Sequence, residues 1–206
     1  MDLLSYQRTV FGFHGCDKRV ADAVLTGKTK LSASENTYDW LARGFYFWEH
    51  GPMRALEWAI QQSKRKNSHI KEPAVIGAVI QLGTCFDLLD VKFTHELARH
   101  AATLEQAMAG QNMPLPRNQR VGIRDGDWLR RERDCFVLKY AIPEVEREWD
   151  CQFDSVRGVF QEGAPAFKGA GIKLKSHIQI AVRDPRAIIG YFLPDETLLL
   201  SPATAS

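Results

Sequence analysis

Residues 11–60 read FGFHGCDKRVADAVLTGKTKLSASENTYDWLARGFYFWEHGPMRALEWAI, and this stretch decides the fold. Its start, residues 11–13, is a short apolar run ending in His14-Gly15, which predicts a strand. Asp17 follows, and its carboxylate suits the N-cap of a helix carrying Val20, Ala23, Val24 and Leu25 at helical spacing. Gly27 stands where that helix needs a left-handed residue in order to stop. A polar loop over residues 32–39 leads to a second apolar run at 44–48, and Gly51-Pro52 then puts a proline in the first turn of another helix. Ala55, Trp58, Ala59 and Gln62 share one face of that helix, with Leu56 and Ile60 beside them. Two strands that end in polar or aromatic groups, each followed by a turn and a helix, can face one another across a cleft.

Beyond residue 66 a polar linker precedes AVIGAVIQL at 74–82, a continuous β-branched run between Pro73 and Gly83 that predicts a buried central strand. Leu97, Ala101, Leu104 and Met108 recur at three to four residues, predicting a helix that Gly110 ends and that packs on the sheet. Residues 111–127 lack periodicity and hold two prolines, two glycines and three arginines; long loops of this kind are usually functional or mobile. Trp128, Leu129, Phe136 and Leu138 mark a second helix over 128–141, so residues 91–150 read as a mostly helical insertion. Strands return at 153–160, 176–182 and 187–193. In SHIQIAV, Ile178, Ile180 and Val182 face the core, while His177, Gln179 and Ala181 point the other way. Asp184-Pro185 turns the chain into the last strand, and the final residues are expected to fray. No internal repeat is visible.

The 206 residues, 45% hydrophobic and 25% charged, fit one domain over 1–206 with a sizeable core. A net charge of +2 supplies no global attraction for nucleic acid. Local basic clusters remain at Lys64-Arg65-Lys66 and at Arg117, Arg120, Arg124, Arg130, Arg131 and Arg133, and most such runs are solvated faces. Cys16, Cys85, Cys135 and Cys151 show neither metal spacing nor a secretory framework, so no metal is expected. The start MDLLSYQRTV has no apolar signal segment, and no run approaches a membrane span. A cytoplasmic protein with free buried thiols and no membrane partner is the expectation.

The strand ending His14-Gly15, the helix closed by Gly27, then Arg43-Gly44-Phe45-Tyr46-Phe47 and a helix with Arg54-Ala55 and Trp58 together resemble the NAD-binding half of the ADP-ribosyltransferases. The likeness is to their poly(ADP-ribose) polymerase-like, or diphtheria-toxin-like, branch, in which a strand ends His-Gly-[Ser/Thr] and a later one carries Tyr-Phe after a glycine. Cys16 stands in place of the usual Ser or Thr, and Arg43 where a Lys is common. The resemblance implies an α+β fold of split mixed and antiparallel β-sheets with flanking helices, interrupted by the helical insertion at 91–150. It also implies NAD as co-substrate. His14 would bond the adenine-side ribose, and Gly15 would offer its backbone to the nicotinamide carboxamide, an approach that needs a missing Cβ. Tyr46 would stack on the nicotinamide with Trp58 as second wall, and Cys16, Ser34, Asn36 and Asp39 would border the donor. Taken singly, His14 reads as readily as a satisfied core histidine, and Tyr46 as an ordinary strand aromatic.

In the family a variable loop presents the acceptor, and the next strand begins with a catalytic glutamate that completes a His-Tyr-Glu triad. Here the loop is EGAPAFKGAGIKLK at 162–175, and His177 falls at the triad position. Gln179, on the same face, is the other candidate; either can hydrogen-bond the ribose hydroxyl that the carboxylate would hold. The expected glutamate is absent, which implies transfer of single units rather than chain elongation. Glu162 is the candidate acid/base for the acceptor, and Asp154 and Arg157 would pair with each other or with phosphates.

The implied function is an NAD-dependent mono-ADP-ribosyltransferase. Small bacterial proteins with this pattern resemble the toxins of toxin-antitoxin or anti-phage systems, with an antitoxin protein as partner, and one such group, which modifies messenger RNA, resembles this sequence in the HGC, YDW and HIQI segments. The acceptor is RNA or protein, and the arginine-rich segment with Trp128 and Phe136 is the expected RNA path. The alternatives are a non-catalytic NAD or ADP-ribose reader, an NAD glycohydrolase, and the RNA 2'-phosphotransferases, whose basic residues have no evident match here.

Overall fold

The computed structural model describes residues 5–121 and 127–199. Arg124 of the basic cluster, residues 1–4 and the tail from 200 lie outside the described residues. The fold is mixed α+β, in the order β1 (Ser5–Asp17), α1 (Lys18–Leu25), β2 (Phe45–Glu49), α2 (Pro52–Ser63), β3 (Pro73–Asp87), α3 (Val91–Gly110), β4 (Gln119–Val121), β5 (Asp127–Arg130), α4 (Glu132–Trp149), β6 (Ser155–Phe160), β7 (His177–Val182) and β8 (Ile188–Phe192).

Asp17 ends β1 and caps α1, as the sequence predicts, by accepting a bond from the Arg19 amide at 3.1 Å. Its carboxylate also takes the Lys71 and Glu72 amides at 2.7 and 3.2 Å, joining the helix start to the entry of β3. The Lys71 and Glu72 amides, with lesser help from Arg19, hold this carboxyl well below the usual carboxylate range. The folded chain therefore binds this proton less readily than the unfolded one. The stabilisation is complete above the unfolded pKa of about 3.9 and is lost as pH falls below it. Thermal melts should show Asp17→Asn less stable than the parent at pH 7, with the gap closing below about pH 4.

Six strands form one hydrogen-bonded network, β1-β2-β7-β6-β3-β8, in which β3 also pairs with β1, so the path closes on itself. β3 and β6 run parallel and the other pairs antiparallel. The expectation of split sheets is corrected accordingly: the only separate sheet among the described residues is the β4-β5 pair. The long strand β3 achieves this by changing partner. Up to Thr84 it pairs with β1, and from Cys85 to Asp87 with β6. Gly83, at φ +60, makes the bend, where the Asp154 carboxylate sits against it and accepts the Thr84 amide at 2.8 Å.

Alternation along β1 and β3 then distributes the core. Val10 and Cys16 with Ile76, Ala78 and Ile80 face α1, packing against Ala21 and Val24. Phe13 and Val75 face the other way, against Ala55 of α2. α3 and α4 pack on each other and add Phe93, Leu138, Ile142 and Val145 to a third cluster that covers Val156 and Ala181. Both faces of β7 are thus covered: Ile180 and Val182 meet the first cluster, as predicted, and Ala181 the third.

The predicted helix over 128–141 needs correcting. Trp128 and Leu129 belong to β5, paired with β4, and the helix begins at Glu132 and continues through Pro143 to Trp149. Phe136 is exposed rather than a core position, whereas Leu138 is buried. The four cysteines are free, three of them buried, and burial pushes the Cys16 and Cys85 thiols up to about 11 and about 12. Among the described residues no helix is long and apolar enough to cross a membrane.

Candidate functional site

β1 and β2 run antiparallel with Phe13 opposite Trp48, and beyond that pair His14 Nδ1 donates to the Tyr46 carbonyl at 2.8 Å. Burial lowers the His14 pKa, only partly opposed by this bond, so the ring is neutral near pH 7 and its Nε2 is an acceptor. His14 and Tyr46 line one cavity of about 610 Å³.

Tyr46 also shapes the cavity rim. Its hydroxyl accepts from the Leu41 amide at 3.0 Å and donates to the Ala42 carbonyl at 2.8 Å. Ala42 has φ 63, a left-handed conformation that a residue with a Cβ adopts only when its surroundings enforce it. Burial, with the nearby Asp39 charge, raises the phenol pKa well above its ordinary value, so Tyr46 stays protonated. The preceding loop is tied down locally: Asn36 donates its amide to Asp39 Oδ2 at 2.6 Å and its Nδ2 to Ser34 Oγ at 2.9 Å. Ser34, Asn36 and Asp39 all line the cavity.

The opposite wall comes from α2 and the late strands. Trp58 lines the cavity and packs on Trp48, with ring centroids 5.7 Å apart. Gln179 lines it as well, accepting from Trp40 Nε1 at 2.6 Å. Glu162 accepts from Arg54 Nη2 at 2.6 Å, both side chains being nearly buried. Leu129 and Arg130 of β5 complete the lining, a contribution that a helix at 128–141 would not have suggested.

Five residues named from sequence lie elsewhere. Gly15 is not on the lining; a Cβ there would sit 2.3 Å from the Ala55 carbonyl oxygen, so its bareness lets α2 approach β1. Cys16 is buried in the cluster under α1. His177 is also off the lining: its Nδ1 donates to the Lys175 carbonyl at 2.6 Å and its ring stacks on Phe160. Burial lowers its pKa as well. Arg157, proposed for phosphates, is buried with its guanidinium bonded to Glu49 and Asp87, and Asp154 bonds the Thr84 amide rather than Arg157.

The sequence reading missed Trp40, Trp48 and Phe160 and gave Arg54 no role, although all four line the cavity. Trp48 was recoverable from the alternation of residues 44–48, which puts it on the same side as Tyr46. The partners of Trp40 and Arg54 lie more than a hundred residues away and leave no local signal.

A second cleft of about 670 Å³ shares Phe160 with the first and is lined by Arg120, Arg131, Lys173 and Trp128, with Asp127 and Asp134 among them. The Arg120 guanidinium lies 4.6 Å from the Trp128 ring centroid, and that of Arg131 lies 4.2 Å from the Trp40 centroid. Elsewhere Glu96, His100 and Glu148 bring ligand-type atoms within 4.8 Å of one another, but the Arg99 guanidinium bonds both carboxylates. Comparison of the chain with protein-family models, with curated proteins and with solved structures finds no match.

Proposed function

We propose that this protein is an NAD-dependent mono-ADP-ribosyltransferase. The observation that carries the reading is that the His14 and Tyr46 side chains, from neighbouring antiparallel strands, line a single cavity of about 610 Å³ walled by Trp48 and Trp58. That volume is in the range of small-molecule pockets, about 300–1,000 Å³. The neutral His14 offers Nε2 to a ribose hydroxyl, and the rings of Tyr46, Trp48 and Trp58 suit a flat cationic pyridine, which aromatic faces attract. Transfer then requires departure of nicotinamide and attack of an acceptor at the anomeric carbon.

The acceptor approaches, in this reading, through the second cleft, where cations interleave with Trp128 and Phe160; that pattern favours RNA over protein. The wider setting is that of a cytoplasmic bacterial toxin, of a toxin-antitoxin or anti-phage system, held in check by an antitoxin protein. A non-catalytic NAD or ADP-ribose reader is the second reading, favoured by one observation: β7 begins with His177, off the cavity wall, rather than with a carboxylate.

Purified protein with NAD labelled in the adenylate decides between them. Nicotinamide release with label passing to lysate material, reduced about 10- to 100-fold by Tyr46→Ala as a stacking ring is lost, is the expected result. Nuclease and protease digestion then assign the label to RNA or protein. Tight NAD binding without turnover makes the protein a reader, nicotinamide release without labelled macromolecule makes it a glycohydrolase, and no NAD binding overturns all three.

A further inference from the structure

Breaking the bond between an anomeric carbon and a pyridinium nitrogen builds positive charge on the sugar, and a fixed carboxylate stabilises that charge. Among the described residues, only Asp39 and Glu162 bring carboxylates to the cavity lining. Asp39 is committed to the loop, its two oxygens taking the Asn36 amide at 2.6 Å and Asn36 Nδ2 at 3.3 Å. Glu162 is not: among the described residues its carboxylate bonds only Arg54, through Oε2. Its backbone extends the β6-β7 ladder, since Phe160 lies opposite His177 and the Lys175 amide donates to the Glu162 carbonyl at 2.9 Å. Phe160 and Glu162, two residues apart, both face the cavity.

Arg54 is held at a cost. Its side chain is 11% exposed, its guanidinium lies over Trp48, and its Nε and Nη1 are buried without hydrogen-bond partners among the described residues. Glu57 comes no nearer than 3.9 Å. Buried donors are rarely left unpaired, and the close bond this arrangement keeps is the one that fixes Glu162.

We infer that Glu162 is the catalytic carboxylate of this cavity and Arg54 its positioning residue, an inference that rests on the ADP-ribosyl-transfer reading. Glu162 faces the ribose of the leaving nicotinamide. The carbon-nitrogen bond breaks with its electron pair going to the pyridinium, which departs as neutral nicotinamide. The acceptor oxygen or nitrogen gives a lone pair to the same carbon, and its proton passes to Glu162 and then to solvent. The carboxylate is supplied just past the end of β6, so neither His177 nor Gln179 has to replace one.

The test measures nicotinamide release and NAD affinity in the full chain. Glu162→Gln should lower kcat about 100-fold while leaving the NAD dissociation constant within about threefold. Arg54→Met should lose as much, Arg54→Lys should recover part of it, and the double variant should be no worse than either single one. His177→Asn should stay within about fivefold of the parent. Near-parental turnover in Glu162→Gln, or a large loss in His177→Asn alone, overturns the inference and leaves the transferase reading standing. A parent protein that releases no nicotinamide ends both, before any substitution is made. Should Arg54→Met fail to fold, the isosteric Glu162→Gln decides alone.

Discussion

Replacing Arg157 with methionine is expected to cost about 3–5 kcal/mol of folding stability and to lower the melting temperature by about 10 °C. Arg157 bonds Glu49 through Nε and Nη2 at 2.5 and 3.0 Å, and Asp87 through Nη1 at 3.0 Å. The three side chains are 5%, 3% and 8% exposed. They come from β6, β2 and β3, at the point where Asp87 and Arg157 pair in the parallel ladder. Removing the guanidinium leaves two carboxylates out of water without their counter-charge, and that desolvation penalty makes the loss large. Arg8 reaches Glu49 at 3.6 Å, but its side chain is half exposed and recovers little. Removing an exposed cation is the informative contrast: Arg186→Met breaks a surface pair with Asp184 that solvent screens, and should leave stability nearly unchanged. Urea and thermal melts of the two variants check both values; a loss in Arg157→Met as small as that in Arg186→Met would show that the triad does not hold the strands together.

What could be read in advance follows from how far each signal reaches along the chain. The Asp17 cap, Pro52 at the start of α2 and the β-branched run in β3 are local, and each settles its own segment. α4 runs beyond the expected end at residue 141 and through Pro143, which removes one helical hydrogen bond, because Leu138, Ile142 and Val145 bury a common face against β6 and β7. β5 is only four residues long, too short to show a period, and tertiary contact rather than pattern defines it. The candidate site divides in the same way. His14, Tyr46, Ser34 and Asn36 fall within one continuous stretch, and their shared cavity lining follows from two neighbouring strands and the loop between them. Arg157 and Asp154, expected to pair with each other or with phosphates, instead each bond β3 seventy residues away, Arg157 at Asp87 and Asp154 at Thr84. Arg54 and Glu162, 108 residues apart, could be joined only by the fold.

Gly15→Ala should damage the site from outside it. A Cβ at this position would lie 2.3 Å from the Ala55 carbonyl oxygen and 3.1 Å from its carbon, and backbone inside a helix cannot give way locally. α2 must therefore move off β1, with a stability loss of about 1–3 kcal/mol as for other overpacked cores. The movement also reaches the chemistry, because α2 brings Arg54 and Trp58 to the cavity while β1 brings His14. A displacement of about 1 Å between reacting groups is enough to lower nicotinamide release by about 100-fold. Gly190→Ala is the control, since no atom of the described residues lies within 4 Å of its added Cβ. The result also separates two roles for Gly15. If its backbone simply clamps nicotinamide, as the family resemblance implies, NAD affinity should fall while the melting temperature holds. If its bareness sets the spacing of α2 on β1, stability and turnover should fall together, and the clash with Ala55 makes this second outcome the expected one.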